Sequence, residues 1–319
     1  MRITIDTELQ AIIVPESYYM QVDKLNEVIT EAGGTALDYT AYIRTCFEKA
    51  YAKINLFLDV TARREDGFHN IKSVMHSVSL CDILTVTAEK SDATEIVITT
   101  DVLGLSTGDD NLIYRAAVKY LEYFGIKAAV KINLEKHIPI GAGLGGGSSD
   151  AAATLRGMNR IFGLGSLDQL LIMAAELGSD VPFCFVGGCA VCTGRGERME
   201  KIDSPFYHLV IAIGGERVST PKAYAALDLK YSDFASNAYM PNENIDEFYN
   251  IFESVTEIDE ICRIKELMKK NGAEHTLMSG SGPSVFGVFK NREACEAACR
   301  ELKKSGFDAH VATSEGGNI

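Results

Sequence analysis

The 319-residue sequence predicts an α+β protein of two packed domains, and three observations carry that prediction. Segments with the two-residue period of strands and segments with the 3.6-residue period of helices alternate only loosely, without the regular βαβ order of a parallel sheet. The chain is long enough for two domains of ordinary size. With 46% hydrophobic and 24% charged residues, it has the composition of a globular protein with a substantial core. No apolar run approaches the ~20 residues of a membrane helix, and the opening MRITIDTELQ lacks the basic-then-apolar order of a signal peptide. Both predict a cytoplasmic protein without a membrane partner, and a monomer or homodimer is expected. The formal net charge of -13 argues against nucleic acid as a partner, because a phosphate backbone calls for clustered Lys and Arg. A nucleotide stays allowed, since backbone N–H groups and one or two cations suffice to hold it.

Residues 1–48 read as a separable N-terminal extension. ITIDTELQAIIV suits one or two short strands, and DKLNEVITEAGG suits a helix stopped by Gly33 and Gly34. Tyr39, Tyr42, Ile43, Cys46, Phe47 and Ala50 then recur at the spacing of an amphipathic helix. From Ala50 the period becomes two. In KINLFLDVT, Ile54, Leu56, Leu58 and Val60 form an apolar side, while Lys53, Asn55, Phe57 and Asp59 share the other. An open Lys and Asn side by side suit a ligand-facing edge, although the pattern alone is better explained by a half-exposed strand. Asp66-Gly67 marks a turn, and VMHSVSL, DILTVTA and EIVITT read as further strands.

Asn111 to Phe124 predicts a helix and AVKINLE a strand, and Ala151, Leu155, Met158 and Phe162 line one face of the next helix. LDQLLIMAAELG is a third helix, ended by Gly178, and FCFVGGCAVCTG reads as a buried β-hairpin. The second domain starts with the strand YHLVIAIGG. It continues through helices between Asn242 and Lys270, a Gly/Ser-rich link, the strand VFGVF, the helix REACEAACRELKKSG and the strand DAHVAT. The expected divisions are 1–48, 49–203 and 204–319. Cys184, Cys189 and Cys192 have the C-x4-C-x2-C spacing found at [2Fe–2S] sites. A cluster needs a fourth thiolate, and Cys262, Cys295 and Cys299 lie in distant helical stretches. Core packing is the better reading, and these thiols predict no metal site.

The most unusual stretch joins the strand AVKINLE to the following helix. Gly141, Gly143, Gly145, Gly146 and Gly147 fall within seven residues, followed by Ser148 and Ser149. Each glycine costs roughly 0.5–1 kcal/mol of backbone entropy relative to Ala, so five together need a reason. A strand leads in and a helix leads out, which directs loop N–H groups and the helix dipole at one point where an anion would sit. The serine hydroxyls suit a phosphate oxygen or Mg²⁺. A flexible linker fits poorly, because the helix resumes at once. The P-loop pattern is excluded, as no Lys follows the glycines. Gly141, Gly143 and Gly146 satisfy G-x-G-x-x-G, but a dinucleotide fold needs a strand ending in an acid ~20 residues later, where this chain has the turn and helix of FGLGSLDQLL.

Pro139-x-Gly141-Ala142-Gly143-Leu144-Gly145-Gly146-Gly147-Ser148-Ser149-Asp150 resembles the phosphate loop of the GHMP kinase superfamily. Two further segments resemble that family's motifs in the same order: KINLFLDV (Lys53 to Val60) and MSGSGPSVFG (Met278 to Gly287) with Ser279, Gly280, Ser281 and Gly282. The resemblance implies a two-domain GHMP kinase fold with the active site in the cleft between domains, and ATP with Mg²⁺ as the phosphoryl source. The combination AYAKINLFLDV, DGFH, GAGLGGGSSDAA and LGSDVPF narrows the resemblance to the branch that phosphorylates the 2-hydroxyl of a cytidine diphosphate methylerythritol. Homoserine- and mevalonate-type kinases, or an ATP-binding sensor without catalysis, stand as alternatives.

Matching the motifs residue by residue, the resemblance makes Lys53 and Asp180 the pair that serves the reacting hydroxyl. A carboxylate takes the hydroxyl proton, and a cation beside it keeps it ionised. By position alone Asp180 reads as a helix N-cap, because it follows Gly178-Ser179 and precedes Pro182. The resemblance also implies that Asn55, Phe68, His69, Thr220 and Tyr224 bind the substrate, with His69 on the cytosine edge and the two rings stacking. Asn111 and Lys136 match nucleotide-contacting positions. Mg²⁺ would be held with ATP, by Ser148 or Ser149 rather than by a dedicated protein site. Residues 1–48 have no counterpart in these motifs.

Overall fold

The computed structural model describes residues 4–6, 11–13, 30–33, 44–215, 219–231, 234 and 248–317. In the N-terminal part, β1 (Thr4–Asp6) and β2 (Ala11–Ile13) form an antiparallel ribbon. Of the helix expected at DKLNEVITEAGG, only residues 30–33 are described, and Gly33 turns there with φ +78°. Tyr39, Tyr42 and Ile43 lie outside the described residues.

The amphipathic helix expected to continue through Ala50 is instead the start of a 20-residue strand, β3 (Arg44–Arg63). Arg44 to Tyr51 pair antiparallel with Cys81 to Ala88, and the ladder of backbone hydrogen bonds outweighs a helical spacing of side chains. Alternation confirms the strand: Glu48 and Ala50 are buried, Phe47 and Lys49 exposed. The Asp66-Gly67 turn, with Gly67 at φ +83°, returns the chain into β4 (His69–Lys90). The two strands expected at VMHSVSL and DILTVTA are thus one, and its two halves serve different neighbours. Residues 71–76 pair with β7 (Cys189–Gly194), and residues 83–90 pair with β6 (Ala128–Glu135). β5 (Glu95–Thr100) adds in parallel beside β6, β8 (Arg198–Lys201) pairs with β7, and the two-residue β10 (Tyr249–Asn250) runs parallel to β3 at the opposite edge.

A bulge in β3 revises the expected division of its side chains. Asn55 faces Met75 but Phe57 faces Val74, so Leu56 is the extra residue. Past it the phase inverts. Lys53, Asn55 and Leu58 share one face, where strict alternation would have put Leu58 with Ile54. Neither face is half-exposed: every residue from Ala52 to Val60 is buried.

Helices cover one face of this sheet. α1 (Leu112–Phe124) is capped by Asn111, α2 (Gly146–Phe162) starts inside the glycine run, and α3 (Leu167–Leu177) begins at a Ser166/Gln169 capping box. The short α4 (Val181–Val186) replaces one arm of the expected cysteine hairpin. Pro182 in its first turn favours a helix start, and Gly187 and Gly188, both with positive φ, turn the chain into β7. Cys184 is therefore helical while Cys189 and Cys192 lie on a strand, all three buried.

The second sheet has the order β11-β12-β9-β13 and is antiparallel throughout, with β9 (His208–Ile213), β11 (His275–Met278), β12 (Ser284–Phe289) and β13 (Asp308–Thr313). α5 (Thr220–Lys230) follows β9, while α6 (Asp259–Lys270) and α7 (Arg292–Lys304) pack on the sheet. Of the helices expected between Asn242 and Lys270, residues 242–247 lie outside the described residues, and Tyr249 to Ser254 form β10 and a 3₁₀ turn. Alternation in β9 divides two cores. Val210 and Ala212 join α6 and α7, whereas Leu209 and Ile211 join Ile54, Leu56, Ala142 and Leu144. That second core packs the two sheets together. It also buries Ala142 and Leu144 of the glycine loop, fixing the loop between the sheets.

Candidate active site

The loop from Pro139 to Gly145 connects β6 to α2, and its glycines meet strict geometric demands. Gly141, Gly143 and Gly145 have φ of 72°, 78° and 70°, the left-handed region that disfavours a side chain. A Cβ on Gly143 would lie 2.5 Å from the Ser279 carbonyl oxygen, and one on Gly145 would lie 2.9 Å from Lys53 Cγ. The loop therefore rests directly on the C-terminal motif and on the Lys53 side chain. Main-chain bonds fix it further, with Lys53 N–H donating to Leu144 O at 2.9 Å and Ser284 N–H to Ala142 O at 3.2 Å. No side chain caps the start of α2, so its first N–H groups face the loop.

The loop is a wall shared by two cavities. One, of about 420 Å³, is lined by residues 139–148 with Asn111, Lys136 and Asp150. The other, of about 650 Å³, is lined by Lys53, Asn55, Phe68, His69, Asp180, Thr220, Tyr224, Gly280 and Ser281. Gly143, Gly145 and Ser148 line both. The two serines of the loop differ. Ser149 Oγ donates to Tyr51 O at 2.5 Å and is buried, while Ser148 opens to both cavities.

Lys53 and Asp180 meet in the larger cavity, with Nζ 3.8 Å from Oδ2. Lys53 is buried and donates to Asn55 Oδ1 at 2.7 Å, and Asn55 Nδ2 donates to Ser73 Oγ at 2.8 Å. Both ends of the Asn55 amide thus orient Lys53 within the strand. Asp180 stands at the N-cap of α4, yet its side chain makes no capping hydrogen bond. Its carboxylate keeps 31% exposure and points into the cavity. Capping, which its position in the sequence suggests, is not what this side chain does.

Across the cavity, His69 Nε2 lies 2.7 Å from Asp228 Oδ1. Its ring stacks on Tyr224 (centroids 4.7 Å apart, planes at 21°), with Phe234 edge-on at 5.7 Å. Burial, then the nearby Asp180 carboxylate, push the Tyr224 hydroxyl up to about 12, so it stays a neutral donor. Phe68 is 52% exposed beside the cavity, with the Arg195 guanidinium 5.1 Å from its ring centre. Thr220 Oγ1 and Ser281 Oγ are 2.8 Å apart, joining α5 to the C-terminal motif. Ser279 Oγ donates to Gly143 O, and Gly280 and Gly282 turn with positive φ beneath the loop.

Asn111 and Lys136 line the smaller cavity but are already engaged. Asn111 Oδ1 accepts from Ile113 N–H as the α1 cap, and its Nδ2 donates to Ser106 O. Lys136 is held between Asp82 and Asp150, the latter at 2.8 Å, and Asp82 Oδ1 also accepts from the N–H groups of His137 and Ile138 at 2.6 and 2.7 Å. Burial, opposed by Lys136 and reinforced by Asp82, pushes the Asp150 carboxyl up. Sequence reasoning missed Asp82, Arg195 and Asp228, and took Asp150 only as the end of the loop motif.

Together these groups can hold a polyphosphate on backbone N–H groups and, next to it, take a proton from a hydroxyl. The comparisons with known proteins agree with this chemistry. Residues 111–188 match the family described as GHMP kinases N terminal domain, and residues 234–308 match GHMP kinases C terminal. A 4-diphosphocytidyl-2-C-methyl-D-erythritol kinase of Caldicellulosiruptor saccharolyticus is 44% identical over 266 residues, covering 79% of this chain and 91% of the relative. One from Exiguobacterium sibiricum is 43% identical over 271 residues, covering 81% and 94%. Among solved structures, a 4-(cytidine 5'-diphospho)-2C-methyl-D-erythritol kinase superposes with a TM-score of 0.71 at 33% identity, over 85% of this chain and all of the other. Homoserine kinase from Cytophaga hutchinsonii, with a TM-score of 0.58 at 20% identity over 84% of this chain and 95% of the other, shares the fold.

Proposed function

The chain belongs to the GHMP kinase family, and from that premise we propose how its cleft acts. It is an ATP-dependent kinase that phosphorylates 4-diphosphocytidyl-2-C-methyl-D-erythritol on its 2-hydroxyl, in the non-mevalonate route to isoprenoid precursors. The observation that carries the reading is the Lys53–Asp180 pair standing in a 650 Å³ cavity against the glycine loop.

ATP binds with its phosphates on the N–H groups of Gly141 to Ser149, and its terminal phosphoryl group reaches the larger cavity past Gly143, Gly145 and Ser148. The substrate hydroxyl lies between that group and Asp180. As the oxygen attacks phosphorus, Asp180 takes its proton, the bond to the leaving ADP breaks, and Lys53 faces the negative charge on the transferring group. Asn55 keeps Lys53 aimed, so charge compensation is in place before the reaction. Mg²⁺ neutralises charge on the phosphates when bound, and the open Ser148 hydroxyl, rather than Ser149, fits it. At the far end, Phe68 and Tyr224 offer ring faces to the cytosine and His69 its edge contact. Thr220, beside Ser281, borders the sugar alcohol. A cytoplasmic setting and the absence of a nucleic-acid partner belong to the same proposal. Among the described residues no helix is long and apolar enough to cross a membrane.

A coupled ADP-release assay offering the cytidyl substrate, homoserine and mevalonate in turn tests the reading. Turnover confined to the cytidyl compound is expected, and turnover of either other alcohol with none of the cytidyl compound overturns it.

A further inference from the structure

We propose that Asp228 is a specificity-determining positioning residue, which fixes His69 as a hydrogen-bond acceptor toward the base and so selects a 4-aminopyrimidine over a 4-oxopyrimidine. The inference rests on the proposed reading of the cleft, and extends it to a residue that the phosphate loop and family motifs do not include.

The two ring nitrogens of His69 differ in what they meet. Nε2 lies 2.7 Å from Asp228 Oδ1, and a carboxylate only accepts, so the proton of that bond sits on Nε2. In the neutral ring this leaves Nδ1 as an acceptor. Among the described residues Nδ1 has no hydrogen-bond partner of its own. The ring is packed in this orientation, with Tyr224 stacked on one face and Phe234 edge-on against it. Asp228 is itself held. It projects from the same helix one turn after Tyr224, and its second oxygen lies 3.6 Å from Arg63 Nε. Arg63 on β3 is the cation beside Asp228, and Asp180 and Arg195, whose guanidinium sits over Phe68, line the same cavity. Asp228, His69, Tyr224 and Phe68 all border the cavity.

An acceptor at Nδ1 matches the exocyclic amino group of cytosine, which donates. It opposes the carbonyl at the same position of uracil, which also accepts. A site built to receive one hydrogen bond rejects the analogue that cannot make it far more strongly than a purely apolar pocket does. Asp228 would therefore set the choice of base without touching it.

Two measurements test this. In the first, wild type and Asp228→Asn are assayed with the cytidyl substrate and with the uridyl counterpart of the same sugar alcohol. An asparagine accepts or donates equally well, which frees His69 to carry its proton on Nδ1. The expected result is a cytidyl-to-uridyl ratio of kcat/KM that falls at least ~10-fold, with the KM for ATP unchanged within about twofold. An unchanged ratio, or equal loss on both substrates, overturns the proposal. The second needs no variant to fold well: ¹⁵N spectra of the wild-type imidazoles, with His69 assigned through His69→Gln. Protonated Nε2 and unprotonated Nδ1 at neutral pH are expected, and a proton on Nδ1 overturns the proposal. If the wild type turns over neither pyrimidine compound, the functional reading fails instead, while the tautomer still reports on Asp228.

Discussion

At the scale of single residues, the proposed mechanism separates groups that react from groups that hold them. Asp180→Asn keeps the size of the side chain but cannot take a proton, and Lys53→Ala removes the facing cation. Each is expected to lower kcat by ~10²–10⁴-fold while ATP binding is retained, to be checked by ADP-release kinetics beside a nucleotide titration. Loss of ATP binding in parallel with kcat would show that the pair only shapes the loop. These residues were legible because motifs that recur in a family surround them, even though Asp180 read as a cap. Asp228, Arg195 and Asp82 were not. Each is one charged residue in an ordinary stretch, and His69 meets Asp228 across 159 positions of sequence, a distance that no local pattern encodes.

Elements position these side chains through contacts that tolerate little change. Gly143→Ala would set a methyl group 2.5 Å from the Ser279 carbonyl oxygen, on a residue already at φ +78°. The loop must shift, so the KM for ATP is expected to rise at least ~10-fold and the melting temperature to fall, in steady-state kinetics and calorimetry. α2 is joined to β3 by a buried ion pair and to α4 by hydrogen bonds from the same arginine. Arg156 Nε bonds Glu48 Oε2 at 2.9 Å, and its other nitrogens donate to the carbonyls of Lys49, Cys184 and Phe185. Arg156→Met leaves Glu48 buried beside only Arg160, and a loss of about 3–5 kcal/mol in denaturant unfolding is expected. The double variant with Glu48→Leu should recover a large part of it. Element types were mostly readable from periodicity. The strand at Arg44 to Ala50 was not, since its pairing partner lies more than thirty residues on. The Leu56 bulge was hidden as well, because the apolar alternation of KINLFLDV continues unbroken through it.

For the molecule as a whole, two sheets meet over a shared apolar core, and one buried charge on β3 gives folding a pH dependence. Burial raises the Asp59 carboxyl to about 6, against 3.8 for its unperturbed value, despite the bond from Val60 N–H that opposes the rise. Between those values the folded chain holds a proton that the unfolded chain releases. This contribution to stability is therefore present at low pH and is lost as pH rises through about 6. Asp59→Asn keeps an acceptor for Val60 and cannot ionise. Relative to wild type it should gain stability across that window and hold the gain above it, as read by urea unfolding at pH 4, 6 and 8. A gap that stays constant with pH would refute the assignment. The two-domain α+β class was legible from length and loose alternation, whereas the core shared by the sheets was not, because it joins residues from both ends of the chain. The seat of Gly143 on Ser279 and Gly282 also has a consequence for synthesis. A chain still on the ribosome, finished only as far as α6, already carries Lys53, the glycine loop and Asp180, but not the surface on which the loop rests. The strands on which the loop rests emerge after every group proposed to react, so such a nascent chain carries those groups without the seat that would hold ATP in line with them.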